Sequence, residues 1–211
     1  MQRSWRLDRD KLTFIVCKHA AELPSLAEEE KEKKKQKKTR DGSLDLPTMI
    51  GDVNLFVSRV DWDDDAEDHA GVEATVGELE LMIAVAHEQR NGYGKAALLA
   101  FLRYIRSHED EILREFFAGG SNEVANGHTT TATGRARRFD YLTVKIGEAN
   151  TASMGLFEGL RFQKTKEMPN YFGEFELRLA MAESHSQGIF GDNDGLMAGA
   201  EYRELEYCCP S

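Results

Sequence analysis

The segment that most constrains the fold is Leu79–Ile105, where an alternating apolar run, a glycine-containing turn and a helix-periodic run follow one another directly. In Glu78-Leu-Glu-Leu-Met-Ile-Ala-Val85 the period is two. Leu79, Leu81, Ile83 and Val85 share one face, and Glu78, Glu80, Met82 and Ala84 share the other. After Gln89-Arg-Asn-Gly-Tyr-Gly-Lys95, the residues Leu98, Phe101, Leu102 and Ile105 recur at i, i+3, i+4 and i+7, one face of a helix. Gly92 and Gly94 stand where that helix starts. A strand that feeds a glycine turn into a helix leaves unpaired N–H groups converging at the positive end of the helix dipole. Without a Cβ, the glycines admit positive φ and let a ligand come close. Such a turn suits a phosphate or pyrophosphate, and a tight turn with no ligand is the plain alternative. The dinucleotide pattern Gly-x-Gly-x-x-Gly/Ala is met weakly, with Ala97 in third place, whereas a Walker A loop is excluded because no Gly-Lys-Ser/Thr follows.

Composition narrows the class. A chain of 211 residues with 41% apolar content suits one domain with a buried core. A net charge of −10 argues against nonspecific nucleic-acid binding and favours cationic partners. Cys17, Cys208 and Cys209 have no metal-ligand spacing, which fits a reducing compartment and predicts no metal. The first residues lack the apolar core of a signal peptide, and no run of about 18 apolar residues occurs. A cytoplasmic protein without membrane association is expected.

The turn Gln89-Arg-Asn-Gly-Tyr-Gly94 resembles the Gln/Arg-x-x-Gly-x-Gly/Ala turn of the GNAT acetyltransferase superfamily, which holds the pyrophosphate of acetyl-CoA. Asn150-Thr-Ala-Ser153, Leu156-Phe157 and Phe162 resemble that superfamily's Asn-x-x-Ser/Ala-x-x-Leu-Tyr-x-x-x-Gly-Phe helix. More narrowly, Ser4-Trp5-Arg6, Lys11 with Thr13–Val16, Met49–Phe56, Glu78–Glu80, Met82–Ala84 and Lys145–Gly147 are similar to the N-acetyltransferase 9-like proteins. The resemblance covers residues 4–17, 49–58, 77–117 and 140–180, and Gly51-Asp-Val-Asn-Leu-Phe56 is its most specific piece.

The resemblance implies an α/β, GNAT-like acyl-CoA N-acyltransferase fold, a mixed sheet with flanking helices. In that family the residues matching Ser4–Val16 follow a first strand and two helices, so the chain is expected to lack those three elements. Another segment would then have to cover the exposed apolar face. The implied domain spans residues 1–182, with insertions at 18–48 and 118–138, and 183–211 reads as a disordered polar tail. Within the first insertion, Glu28–Arg40 is a charge run, read as a solvated, partly helical stretch with an acidic-surface docking site as the alternative. The acidic Asp61–Asp68 lacks the order of a calcium loop and reads as a mobile hairpin turn.

The remaining elements follow from local pattern. Leu12–Val16 is strand-like. In Met49–Ser58, Gly51, Val53, Leu55 and Val57 share a face, and Asp52 and Asn54 lie opposite with Ile50 and Phe56, facing either a ligand or a backbone partner. Ile112, Leu113, Phe116 and Phe117 continue the helical spacing after residue 109. Tyr141–Gly147 is a strand, Asn150 a helix N-cap, and Phe162–Tyr171 with Gly173–Ala180 a closing hairpin.

Carried onto these positions, the resemblance implies a cofactor-binding set of Met82, Ile83, Ala84, Gln89, Arg90, Asn91, Gly92, Tyr93, Gly94, Lys95 and Asn150. The Met82–Val85 backbone pairs with pantetheine as an extra strand would. Transfer of an acetyl group to an amine needs the amine neutral and its proton carried away. Glu80 is the candidate catalytic carboxylate, with Glu78 second and His87 a loop histidine beside the turn; a half-buried acid facing water or an arginine is the alternative. Phe157 departs from the pattern, because it replaces the tyrosine that usually protonates the departing thiolate, and Arg161 stands in place of a glycine. The expected function is acetyl-CoA-dependent transfer to a protein amine by direct attack on the thioester. The alternative is a non-catalytic CoA-binding or protein-interaction module. The acceptor and the oligomeric state are not encoded in any motif.

Overall fold

Strands β2 (Met49–Asp61) and β3 (Glu73–Ile83) form the longest ladder, antiparallel and in continuous register from Gly51↔Ile83 to Asp61↔Glu73. The computed structural model describes residues 8–18, 49–61, 73–118, 137–181, 202 and 204. The readings for residues 4–6, the charge run at 28–40 and the acidic stretch beyond Asp61 lie outside the described residues. So do the interiors of both insertions and all of the 183–211 tail except Tyr202 and Glu204. Strand β1 (Lys11–Cys17) pairs antiparallel with the outer edge of β2. On the other side β3 meets β4 (Tyr141–Gly147) in parallel, and β4 pairs antiparallel with β6 (Glu174–Ala180), which carries the short β5 (Gln163–Lys164). The six strands run in the order β1-β2-β3-β4-β6-β5, a mixed sheet.

The parallel step from β3 to β4 needs a crossover, which helix α1 (Tyr93–Ala118) supplies. A second helix, α2 (Thr151–Gly159), connects β4 to the final hairpin. Alternation builds one core face. Val53, Leu55 and Val57 of β2, Leu79 of β3, Leu142, Val144 and Ile146 of β4, and Leu177 and Leu179 of β6 join one buried cluster. Leu98, Phe101, Leu102, Ile105 and Leu113 of α1 and Met154 and Phe157 of α2 complete it. Each fully buried aliphatic chain there contributes about 1.5–3 kcal/mol.

The two helix-periodic runs at 98–105 and 109–117 are one unbroken helix of 26 residues. Glu109 lies on its buried face, and its carboxylate accepts the Phe139 N–H at 2.7 Å. That bond offsets the cost of burying the acid and pins the helix to the entrance of β4.

The closing hairpin differs from the sequence expectation. Its first strand is only Gln163–Lys164, followed by one further bond from Thr165 N–H to Glu176 O at 3.0 Å, and Asn170 turns the chain. The Asn170 Oδ1 accepts the N–H groups of Phe172 (2.9 Å) and Glu174 (3.0 Å), and Gly173 sits at φ 74°. Met168, Tyr171 and Phe172 are left exposed on that turn. Helix α2 ends with Arg161 at φ 68°, the Arg161 N–H on Glu158 O and the Phe162 N–H on Phe157 O. This left-handed end favours glycine, and Arg161 holds it here at φ 68°.

One feature of the sheet positions the site. β3 and β4 pair only over Val76↔Tyr141, Gly77↔Leu142 and Glu78↔Thr143. Beyond these residues β3 stays with β2 as far as Ile83 while β4 stays with β6 as far as Gly147. The two halves of the sheet therefore part after Glu78, leaving the β4-facing edge of β3 unpaired.

Candidate functional site

A cleft of about 480 Å³ opens where the strands part. Its walls are Leu81, Met82 and Ile83 from β3, Gln89, Arg90, Gly92, Gly94 and Lys95 from the turn and the start of α1, and Asn150, Ala152, Ser153 and Leu156 from α2. Eight of the eleven residues expected to bind a cofactor line this one cleft: Met82, Ile83, Gln89, Arg90, Gly92, Gly94, Lys95 and Asn150. Ala84, Asn91 and Tyr93 border it without forming its walls.

The backbone explains part of that division. Ala84 N–H donates to Ile50 O at 2.8 Å and Val85 N–H to the same carbonyl at 3.3 Å. In an antiparallel pair, successive residues turn their backbone groups alternately toward and away from the partner. Ala84, Met82 and Glu80 are therefore bonded toward β2, and Leu79, Leu81 and Ile83 present their backbone to the gap. The strand-like edge left for a ligand is Leu81 and Ile83, with the Ile83 carbonyl already taken by Gln89 Nε2 at 2.8 Å. Leu81 lines the cleft, although the sequence reading put it on a strand face without naming it in the cofactor-binding set.

The turn has the geometry of an anion cradle. Arg90 (φ 68°) and Gly92 (φ 88°) both adopt left-handed backbone, which folds the loop back over the helix start. Ala96 N–H, bonded to Gly92 O at 3.0 Å, marks the first helical bond. The N–H groups at the start of α1 before it have no carbonyl within the helix to bond, and they lie at the positive end of the helix dipole beside the cleft. At Gly94 a Cβ would point at Leu81, Ile83 and Leu156, all cleft walls, at 3.5–3.9 Å. Gly94 therefore keeps cleft volume open rather than relieving a clash. Arg90 and Lys95 add positive charge to this wall of a protein whose net charge is −10.

Two braces hold the turn, one local and one long-range. Asn91 Nδ2 donates to His87 O at 3.1 Å, closing the loop on itself. Lys18, just past β1, pairs with Glu88 of the 3-10 turn Ala86–Glu88 at 2.8 Å and lies 5.7 Å from the Tyr93 ring centre. The hydrogen bond to Lys18 holds the Glu88 carboxyl below its ordinary range, and the same bond raises Lys18. Sequence reading missed this pair because its members are 70 residues apart. On the opposite wall, Asn150 Oδ1 accepts the Ser153 N–H at 3.1 Å, capping α2 as expected.

The carboxylates lie on the sheet face away from the helices. Glu78 is tied to Lys145 Nζ at 2.9 Å, which raises the lysine and keeps it charged. Glu80, opposite Asn54 in the ladder, is exposed, and its carboxylate makes no hydrogen bond or ion pair among the described residues. Asn54 accepts from Thr13 Oγ1 at 2.7 Å and donates to Asp52 at 2.8 Å, so the polar residues of β2 bond within the sheet. His87 is 82% exposed. Phe157 is buried, its ring edge-on to Phe162 at 5.1 Å, and it is not among the cleft walls. Among the described residues no group of three or more His, Cys, Asp or Glu could hold a metal, and no helix is long and apolar enough to cross a membrane.

A mixed sheet that parts beside a glycine turn at the start of a long helix, with an Asn-capped helix on the far wall, defines a GNAT-like acyl-CoA N-acyltransferase fold. No family model matches the chain. The N-acetyltransferase 9-like protein of Schizosaccharomyces pombe is 32% identical over 195 residues, covering 85% of this chain and 74% of that protein. The human alpha/beta-tubulin-N-acetyltransferase 9 is 30% identical over 189 residues, covering 90% of this chain and 65% of that protein. Among solved structures, Arabidopsis thaliana NAA60 in complex with acetyl-CoA is similar at a TM-score of 0.40 and 11% identity, over 82% of this chain and 99% of that one. The chain belongs to the N-acetyltransferase 9-like family of GNAT acetyltransferases. It spans about two thirds to three quarters of the length of the two relatives named.

Proposed function

We propose that this protein transfers the acetyl group of acetyl-CoA to an amine of a protein acceptor. The observation that carries this reading is the single cleft shared by the Arg90–Lys95 turn, the unpaired edge of β3 and the N-terminus of α2. The turn N–H groups with Arg90 and Lys95 bind the pyrophosphate. The backbone of Leu81 and Ile83 pairs with the pantetheine arm, and the space at Gly94 lets it lie against the sheet. Asn150 holds its far side. When bound, acetyl-CoA supplies an acyl thioester whose carbonyl the amine attacks directly. The C–N bond forms as the C–S bond breaks, and the amine proton must leave.

Glu80 is the carboxylate available for that proton, since Glu78 is committed to Lys145. A single exposed carboxylate is a modest base, and this favours an α-amine acceptor. An α-amine of pKa about 8 is roughly one-tenth neutral at pH 7, whereas a lysine amine near 10.4 is neutral in about one molecule in 2,500. The relative named for tubulin supports a protein as the acceptor class.

A second reading is a CoA-binding module without turnover, favoured by the buried Phe157, which has no hydroxyl to protonate a thiolate. The test separates the two. Acetyl-CoA at 100 times its dissociation constant stabilises the protein by about 2.7 kcal/mol. Incubation with peptides that carry either a free N-terminus or only a free lysine then reports acetylation by mass. Stabilisation with acetylation of the free N-terminus is the expected result. Stabilisation without turnover favours the module. No stabilisation of a protein that melts cooperatively overturns both readings.

A further inference from the structure

On the far side of α1 from the cleft lies a groove of about 440 Å³ between the helix and the edge strand β1. Its floor is apolar. Phe14 of β1 packs edge-on to Tyr104 at 4.9 Å and against Phe101 at 5.3 Å, and Ala97 and Ala100 leave the helix surface low. Phe14 and Ile15 remain 38% and 45% exposed there, so the floor is only partly covered. The residues that close its other side, Tyr202 and Glu204, come from the C-terminal region, about a hundred positions beyond the helix they touch.

Their contacts are specific in chemistry. Glu204 Oε2 meets His108 Nε2 at 2.9 Å, while His108 Nδ1 meets Glu111 at 3.1 Å. The His108 ring lies 4.4 Å from that of Tyr104, continuing the aromatic row that begins at Phe14. Tyr202 donates its phenol hydrogen to Glu204, and the Arg103 guanidinium sits 5.0 Å from its ring centre. An aromatic ring under a guanidinium and a carboxylate on an imidazole are matched pairs, each worth more when partly shielded from water. A partly buried phenol raised to about 12 is consistent with a ring held against the protein.

We infer that Tyr202 and Glu204 are the chain's own anchor on the β1–α1 groove, closing one side of it and clamped to α1 through Arg103 and His108. The two residues narrow access to the apolar groove beside the edge strand, where an outside chain could otherwise pack. The aromatic residue walls the groove and the acid two positions on binds the imidazole of α1. The inference is independent of the proposed acetyl transfer, because none of these residues lines the cleft.

The test uses the full chain with the photoreactive amino acid benzoylphenylalanine in place of Tyr202. Irradiation at low protein concentration should cross-link it to residues 14–16 and 97–104 of the same molecule, mapped by peptide mass. Glu204→Lys should cut that yield several-fold, and the pair Glu204→Lys with His108→Glu should restore it by reversing the charges. Cross-links that form only between molecules, and rise with concentration, would overturn the assignment to the chain's own tail. Cross-links absent in a protein with an unchanged melt would overturn docking altogether. Hydrogen exchange gives a second readout, with faster exchange at residues 12–16 expected in Glu204→Lys.

Discussion

Lys18 and Glu88 form an ion pair at 2.8 Å with side chains only 13% and 12% exposed, joining the end of β1 to the turn that precedes the anion cradle. The turn is therefore held by an element from the opposite edge of the sheet. Replacing Lys18 by Ala, or Glu88 by Gln, should weaken acetyl-CoA binding several-fold, measured by titration calorimetry, with Lys18→Arg largely retaining it. The pKa of Glu88 is depressed in the folded protein, so the pair's stabilisation is present above about pH 4.5 and is lost as pH falls through the lower, folded value. Melting temperature followed from pH 6 to pH 3 should fall less in Glu88→Gln than in the parent.

Gly92 and Gly94 should respond differently to the same change. Gly92→Ala forces an L-residue to hold φ 88° and should cost about 1–2 kcal/mol in denaturant unfolding. Gly94→Ala meets only ordinary contacts, the nearest at 3.5 Å, and should leave stability within about 1 kcal/mol of the parent. Its methyl group points at the cleft walls and should lower acetyl-CoA affinity at least tenfold. Equal loss of affinity and stability in Gly94→Ala would refute the assignment of that space to the ligand.

Asn150 combines a cap and a cleft wall. Asn150→Ala should destabilise by about 1 kcal/mol, and Asn150→Ser should recover most of that because a hydroxyl also accepts the Ser153 N–H. If the amide itself touches the ligand, acetyl-CoA affinity stays low in Asn150→Ser even with stability restored.

Restoring the tyrosine common in this superfamily should not help. Phe157 is 3% exposed against Phe162, so the hydroxyl of Phe157→Tyr would be buried among apolar groups. A loss of about 1–3 kcal/mol in stability with no gain in turnover is expected. A rise in turnover would mean that this position reaches the reacting thioester.

The tail contact should depend on pH through His108. On α1 it faces Glu111 and the Tyr104 ring, with Arg103 nearby, and from the tail it faces Glu204 beside Tyr202. Hydrogen bonds first to Glu204 and then to Glu111 raise its pKa. Only the doubly protonated imidazole can donate to both carboxylates. The stabilisation is thus full below about pH 6.5 and is lost as pH rises through the higher, folded value. Hydrogen exchange in β1 should quicken over that rise, after correction for intrinsic rates, and His108→Gln should remove the dependence.

Much of the site was legible in the chain because its parts are contiguous. Gln89 to Lys95 declare a turn by their glycines, the row Leu98, Phe101, Leu102, Ile105 declares the helix behind it, and Asn150 declares a cap. Alternation put Val53, Leu55 and Val57 on one face of β2, and that face is the buried one. Pairing was not legible. Local pattern puts Leu81 and Ala84 on opposite strand faces, but only the bond from Ala84 to Ile50 shows which backbone groups face the gap. Phe162–Tyr171 reads as a strand until Asn170 is seen to turn the chain.

The sequence by itself determined the strand, turn and helix of the candidate site, because those patterns depend on neighbours along the chain. Only the tertiary structure decided where β3 and β4 part, which edge is left open, what braces the turn from β1 and what covers the other side of α1. These are relations between residues tens of positions apart. They are selected by pairing register and by burial of the whole apolar set, and no local window contains either.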